Sequence, residues 1–260
     1  MKDQLKRVVV LGSGTSTGVP SIGCDCDVCQ SSNPKDKRFR SSVLLQTKNE
    51  KNILIDCGPD FRMQMLAQGI GKIDAVVFTH THADHCHGFD DLRQVIFRHK
   101  KPIPCYIDKD HASDLKNRFS YAFQDTGYLG TTPKVDFHFL EESDKIFDLD
   151  VEVFRLPHGA GTTLGFRFND FLYFTDFKSV EASIMKKIKG KVQVAVLSAA
   201  RKILHHSHSS MGESIDLIKK MGAERGVLTH LSHDYDHEKD SQSLPEGIEL
   251  AYDGMKLDFH

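Results

Sequence analysis

Four side chains able to hold a metal ion, His80, His82, Asp84 and His85, fall within six residues, directly after the apolar run Ala75 to Phe78. A strand delivers its last residue with little freedom, so a tight loop behind it can turn all four toward one point. Imidazole nitrogen mixed with carboxylate oxygen suits zinc, manganese or iron better than calcium or magnesium. A solvated loop that happens to be rich in histidine is the competing reading. Ordered spacing behind a strand weighs against it.

Three further positions stand where apolar strands end: His158 after Val151 to Leu156, Asp176 after Phe171 to Phe174, and His230 after Val227 to Thr229. Taken singly, each is more often a turn or capping residue. Their recurrence behind separate strands favours ligands.

The rest of the pattern supplies a frame. Strands are expected at Val8 to Leu11, Val43 to Leu45, Ile53 to Ile55, Val135 to Leu140, Leu164 to Phe168, Val192 to Leu197 and Gly226 to Thr229, with Asn169-Asp170 as a hairpin turn. Helical spacing of apolar residues appears at Phe61 to Ala67, Phe89 to Phe97, Ala112 to Phe123 with Asp110 as cap, Val180 to Ile188 and Met211 to Lys220. Runs of strands with interspersed helices predict two sheets packed face to face with helices outside. No linker or low-complexity segment divides the 260 residues, so a single domain over 1–260 is expected.

Charge excludes little but points away from polyanions: 34 Lys and Arg against 36 Asp and Glu give a net charge of -2. The segment Met1 to Arg7 lacks the apolar core of a signal peptide, and no apolar run approaches the roughly 18 residues that span a bilayer. A cytoplasmic protein without membrane partners is expected. There, six cysteines read as thiols or metal ligands rather than disulfides.

The block His80-x-His82-x-Asp84-His85, followed by His158, Asp176 and His230, resembles the metallo-β-lactamase superfamily along essentially the whole chain. The resemblance implies an α/β fold, a four-layer αββα sandwich, and two divalent ions, Zn2+ or Mn2+. It also implies that His80, His82 and His158 hold one ion, that Asp84, His85 and His230 hold the other, and that Asp176 bridges them. Two such cations share a water, lower its pKa and stabilise charge on the oxygens of a phosphoryl transfer. Asp84 would in addition orient that water.

Cys24-x-Cys26-x-x-Cys29 offers three thiolates close enough to wrap one zinc, with a fourth ligand from elsewhere. Free or redox-active thiols are the alternative. Together with Thr229-His230-Leu231-Ser232-His233, this pattern resembles a narrower branch, the phosphodiesterases of phosphonate degradation that open phosphoribosyl cyclic phosphate. That resemblance implies that His233 completes a structural Zn2+ site with Cys24, Cys26 and Cys29. It also makes His208, a few residues before an apolar helix, the candidate acid or phosphate contact; His205 and His206 read as solvated or supporting.

Other features read as structural. Gly12 to Gly18 lacks the P-loop lysine and fits a turn before the zinc loop. Arg38 and Arg40 read as ordinary surface charges, and Cys57, Cys86 and Cys105 as packing residues. The expected function is therefore a phosphodiesterase acting on a small or cyclic phosphodiester. A transfer-RNA 3′-end processing endonuclease and a non-hydrolytic protein of quinone-cofactor biosynthesis stay open as alternatives. Nucleic acid is the less favoured partner, since near-neutral charge helps RNA binding little and no basic Gly- and Pro-rich arm is present. A homodimer through an exposed helix face is open too.

Overall fold

A computed structural model describes residues 3–124 and 132–259; residues 1 and 2 of the charged N-terminal segment lie outside it. The first sheet holds β1 (Leu5–Gly12), β2 (Ser42–Thr47), β3 (Asn52–Ile55), β4 (Ala75–Val77), β5 (Ile103–Ile107) and β6 (Val135–Phe139), with β14 (Lys256–Asp258) on its edge, in the order β14-β1-β2-β3-β4-β5-β6. The second holds β7 (Ser143–Ile146), β8 (Leu149–His158), β9 (Gly161–Phe168), β10 (Phe171–Phe174), β11 (Val194–Ser198), β12 (Arg225–Thr229) and β13 (Ile248–Leu250), in the order β13-β12-β11-β10-β9-β8-β7. The helices are α1 (Asp27–Gln30), α2 (Phe61–Ala67), α3 (Ala83–Cys86), α4 (Leu92–His99), α5 (Lys109–Arg118), α6 (Ala182–Ile188), α7 (Met211–Met221) and α8 (His237–Ser241).

Alternation along the strands builds the layers. Val8 and Val10 of β1 point between the sheets with Val43, Ile53 and Val77, against Phe166, Phe168, Tyr173 and Val196 of the second sheet. Val9 and Leu11 point the other way, with Leu44, Leu54 and Val76, onto Phe61 and Met65 of α2, Leu92 and Ile96 of α4 and Leu115 of α5. On the far side, Leu172, Leu197 and Leu228 pack on Ile188 of α6 and on Ile218 and Met221 of α7. Central strands are thus covered on both faces, which is why they read as continuous apolar runs rather than alternating ones. The result is the four-layer αββα sandwich.

Local chemistry sets the turns. Asn169 takes the left-handed conformation (φ 54) in the β9–β10 hairpin, a position that asparagine tolerates. Helix α7 opens on a reciprocal capping box between Ser210 and Glu213 and closes on left-handed Gly222. Gly12 is glycine because a Cβ there would lie 1.9 Å from the Arg40 carbonyl oxygen, so the glycine-rich turn serves close backbone packing.

Several expectations need correction. Helix α5 is capped by Asp108, whose side chain accepts from the His111 amide, not by Asp110, and it ends at Arg118. Its first turn, Lys109 to His111, carries no apolar residue, so periodicity starts it late. Edge strands β7 and β14 are short and largely polar and gave no signal. Arg38 is no surface charge: it is 2% exposed, 3.1 Å from Asp36, and donates to the carbonyl oxygens of Ser232 and Tyr235. Helix α8, behind His233, is capped by Asp236, whose side chain accepts from the Lys239 amide. Among the described residues, no helix is long and apolar enough to cross a membrane.

Candidate metal centre

The block behind β4 is not a plain loop. His82, in extended backbone, serves as N-cap of the one-turn helix α3, which projects Asp84 and His85. A carboxylate from the neighbouring strand fixes this turn. Asp56, directly after β3, is fully buried and accepts from the Thr79 amide and hydroxyl, both at 2.8 Å, while His85 Nδ1 lies 2.7 Å from its Oδ2. That contact turns His85 Nε2 inward. Gly58 lies against the same turn, and a Cβ on it would stand 2.0 Å from the Asp84 carbonyl oxygen.

The second sheet supplies the rest. His158 is the last residue of β8, Asp176 lies two residues past β10, and His230 one past β12. Asp56, Asp176 and His230 all take left-handed backbone, with φ of 64, 54 and 56. For residues other than glycine this costs about 1–2 kcal/mol each, and such strain gathers at functional positions. It lets the chain bend sharply off the strand while the side chain stays aimed along it.

All seven predicted residues converge. Ligand atoms of His80, His82 and His158 form one group within 4.8 Å, and those of Asp84, His85 and His230 form another. His158 Nε2 lies 3.1 Å from His82 Nδ1; His85 Nε2 lies 3.3 Å from Asp84 Oδ2; His230 Nε2 lies 3.7 Å from the same oxygen. Asp176 meets both groups: Oδ2 lies 3.1 Å from His85 Nε2 and Oδ1 3.1 Å from His230 Nε2, and its carboxylate lies within 4.8 Å of ligand atoms of His80 and His158. His208 Nδ1 lies 3.4 Å from Asp176 Oδ1. His206 is exposed on the rim, and His205 Nδ1 lies 3.3 Å from the Ser207 amide and hydroxyl, a supporting position.

The donor set fits divalent metal ions. The Nε2 atoms of His80, His85 and His230 are buried without a hydrogen-bond partner, a costly state for polar atoms unless something else binds them. Burial opposes charge on Asp84 and Asp176, yet the neighbouring His85 and His230 outweigh it and hold both carboxyls below the usual range. Burial likewise opposes a charge on His85, and the carboxylates of Asp176, Asp84 and Asp56 outweigh it. The pocket is built to neutralise buried positive charge. It opens into a cleft of about 650 Å³ whose walls include His111, Asp114 and Arg118 of α5 as well as His206 and His208.

Asp56 escaped the sequence reading, although it stands behind Ile53–Ile55 as Asp176 stands behind its own strand. Such an outer carboxylate fixes the tautomer of a ligating histidine. Asp56→Asn is expected to weaken metal affinity about 10–100-fold with the fold retained, as measured by competition with a chelator.

A second cluster sits at the N-terminal loop. His233 Nδ1 lies 3.2, 3.5 and 3.5 Å from the sulfurs of Cys24, Cys26 and Cys29. With Zn–S of about 2.3 Å and Zn–N of about 2.0 Å, the edges of a tetrahedral site measure about 3.5 Å. The same backbone that carries His230 reaches His233. Leu231, between them, is bonded to Ser13 and Thr15 of the glycine-rich turn.

Residues 51–231, well over half the chain, match the model of the beta-lactamase superfamily domain. The chain is 39% identical to a solved diphosphatase from the PhnP family, with a TM-score of 0.90 and 98% of each chain covered. Zinc-bound PqqB from Methylobacterium extorquens shares the fold at 20% identity and a TM-score of 0.78, over 97% of this chain and 100% of that one. An octanoyltransferase of Porphyromonas gingivalis (strain ATCC BAA-308 / W83) is 37% identical over 257 residues. This chain is covered to 96% in that match but spans only about half, 51%, of that relative, whose name therefore carries no activity across. Fold, ligand convergence and these matches together identify the chain as a member of the metallo-β-lactamase superfamily, on its PhnP-like branch.

Proposed function

We propose that the protein is a dinuclear metal-dependent phosphodiesterase that hydrolyses a small or cyclic phosphodiester. The observation that supports this reading is Asp176, whose oxygens lie 3.1 Å from His85 and His230 of one ligand group and whose carboxylate lies within 4.8 Å of ligand atoms of His80 and His158 of the other. His80, His82 and His158 would hold one ion and Asp84, His85 and His230 the other, with Asp176 between them. Two divalent ions held so supply an activated water near neutral pH and positive charge for the phosphoryl oxygens. Asp84, on the rigid turn of α3, orients the attacking water and accepts its proton. His208 donates a hydrogen bond to a phosphoryl oxygen from the side of Asp176.

A cleft of about 650 Å³ suits a compact substrate. The 39% identity to a PhnP-family diphosphatase supports phosphorus–oxygen chemistry over the non-hydrolytic alternative. Cys24, Cys26, Cys29 and His233 would hold a structural zinc, supported by their near-tetrahedral spacing.

Protein purified without chelator is expected to contain about three metal ions per chain, two at the cleft and one at the cysteines. It should hydrolyse bis(p-nitrophenyl) phosphate and members of a panel of cyclic phosphates, and lose that activity on chelation. Cleavage of precursor transfer RNA without turnover of any small diester would move the endonuclease reading to the front, and no hydrolysis of either would sink the phosphodiesterase.

A further inference from the structure

Helix α5 sets a stripe of polar residues on the cleft that no metal ligand explains. His111, Asp114 and Arg118 share one face by their i, i+3, i+7 spacing and all line the cleft beside His80, His82 and His158. The stripe is latched to the metal turn: the hydroxyl of Thr81, between His80 and His82, donates to Asp114 Oδ2 at 2.5 Å, and Arg118 Nε donates to the same oxygen at 2.8 Å. His111 therefore stands about one helical turn, about 5 Å, from a residue that touches the metal turn.

Its ring is held from behind. His111 Nδ1 lies 3.0 Å from Asp108 Oδ1, in ion-pair range though off the line of a straight hydrogen bond. Asp108 is itself fixed by its capping bond from the His111 amide at 2.8 Å and by Arg155 of β8 at 2.7 Å. Asp108 is buried, with 3% exposure. With Nδ1 buried against Asp108, Nε2 is the ring nitrogen left for the cleft that His111 lines. A carboxylate behind one nitrogen fixes the orientation of the ring and so aims the other. His208 is placed differently, stacked on His230 at 5.3 Å between ring centres and beside Asp176, where it meets the phosphoryl group.

We propose that His111 donates the proton to the leaving group, with Asp108 and Arg155 as its positioning residues. As the water oxygen bonds to phosphorus, the bond to the leaving oxygen breaks and its electron pair stays on that oxygen. The oxygen takes the proton from His111 Nε2, and solvent restores the imidazolium. The charged and titratable groups bearing on His111 are Asp108, Asp114 and Arg118 of α5 and its cap, Arg155 of β8, and the cleft histidines His82, His158, His206 and His208.

The inference rests on the phosphodiesterase reading, so its test has an arm that needs no turnover. Metal-loaded wild type, His111→Gln and His208→Gln are compared on methyl p-nitrophenyl phosphate and methyl phenyl phosphate. p-Nitrophenolate leaves without a proton, whereas phenolate leaves poorly without one. His111→Gln is expected to lose about 10²-fold in kcat on the phenyl ester and little on the nitrophenyl ester, while His208→Gln loses equally on both. Equal loss for His111→Gln on both esters, or no loss, overturns the assignment. In the second arm, nitrogen NMR follows the His111 ring in metal-loaded wild type and Asp108→Asn. The ring-nitrogen shifts are expected to differ between the two proteins, because the carboxylate that stands 3.0 Å from Nδ1 is gone in the variant. Identical shifts in the two proteins overturn the dyad. If wild type turns over neither ester, the phosphodiesterase reading fails and the NMR arm alone decides whether His111 is a held donor.

Discussion

Asp84→Ala is expected to lower phosphodiester turnover by at least about 10³-fold while leaving the far-ultraviolet circular dichroism unchanged. The residue is 8% exposed, and its carboxylate stands against two imidazoles, 3.3 Å from His85 Nε2 and 3.7 Å from His230 Nε2. On the proposed mechanism its loss would remove a ligand from one group and the acceptor that orients the attacking water. The fold should tolerate the change because Gly58 packs on the Asp84 backbone, not on its carboxylate. Metal analysis separates the two roles. About one ion lost per chain assigns ligation, whereas full metal content with turnover abolished assigns the water-orienting role. Turnover within a few fold of wild type would remove Asp84 from the mechanism.

Cys26→Ser is expected to release the ion of the cysteine cluster and to lower the thermal midpoint by about 10 °C, which corresponds to several kcal/mol in a domain of this size. The surrounding core is too small to hold the loop alone: its buried apolar members are Val19, Val28 and Cys29, with Cys24 and Cys26 packed on them. A small cluster of that kind depends on a metal or a covalent staple. Activity should fall as well, because His233 follows His230 by three residues and Arg38 holds the backbone just beyond, at Ser232 and Tyr235. Calorimetry with and without added zinc reads the first effect and the diester assay the second. An unchanged midpoint in the variant would mean that the cysteines are free thiols.

The legible part of this site was the part written in one short block or at strand ends. His80 to His85 announce themselves by spacing, and His158, Asp176 and His230 by standing behind apolar runs. What escaped notice depends on long-range placement. Asp56 looks like an ordinary turn residue until the fold sets it 2.7 Å from His85. His111 sits in a polar helix turn that offers no periodicity, and only the docking of α5 beside the metal turn brings it to the cleft. Arg38 reads as surface because arginine usually is, and nothing local reveals that Asp36 and two carbonyl groups enclose it. The layers were legible for a simple reason: strands buried on both faces leave uninterrupted apolar runs. Polar edge strands such as β7 leave none.

The seven candidate ligands divide by layer: His80, His82, Asp84 and His85 follow a strand of the first sheet, while His158 ends a strand of the second and Asp176 and His230 follow two others. Ions bound by residues from both layers would act as rivets through the seam of the sandwich. Parting the sheets would then require a ligand bond to break on one side or the other. With ions bound there, the lifetime of the folded protein would become a matter of metal supply, so starvation for metal would silence the proposed activity and also hasten clearance of the protein.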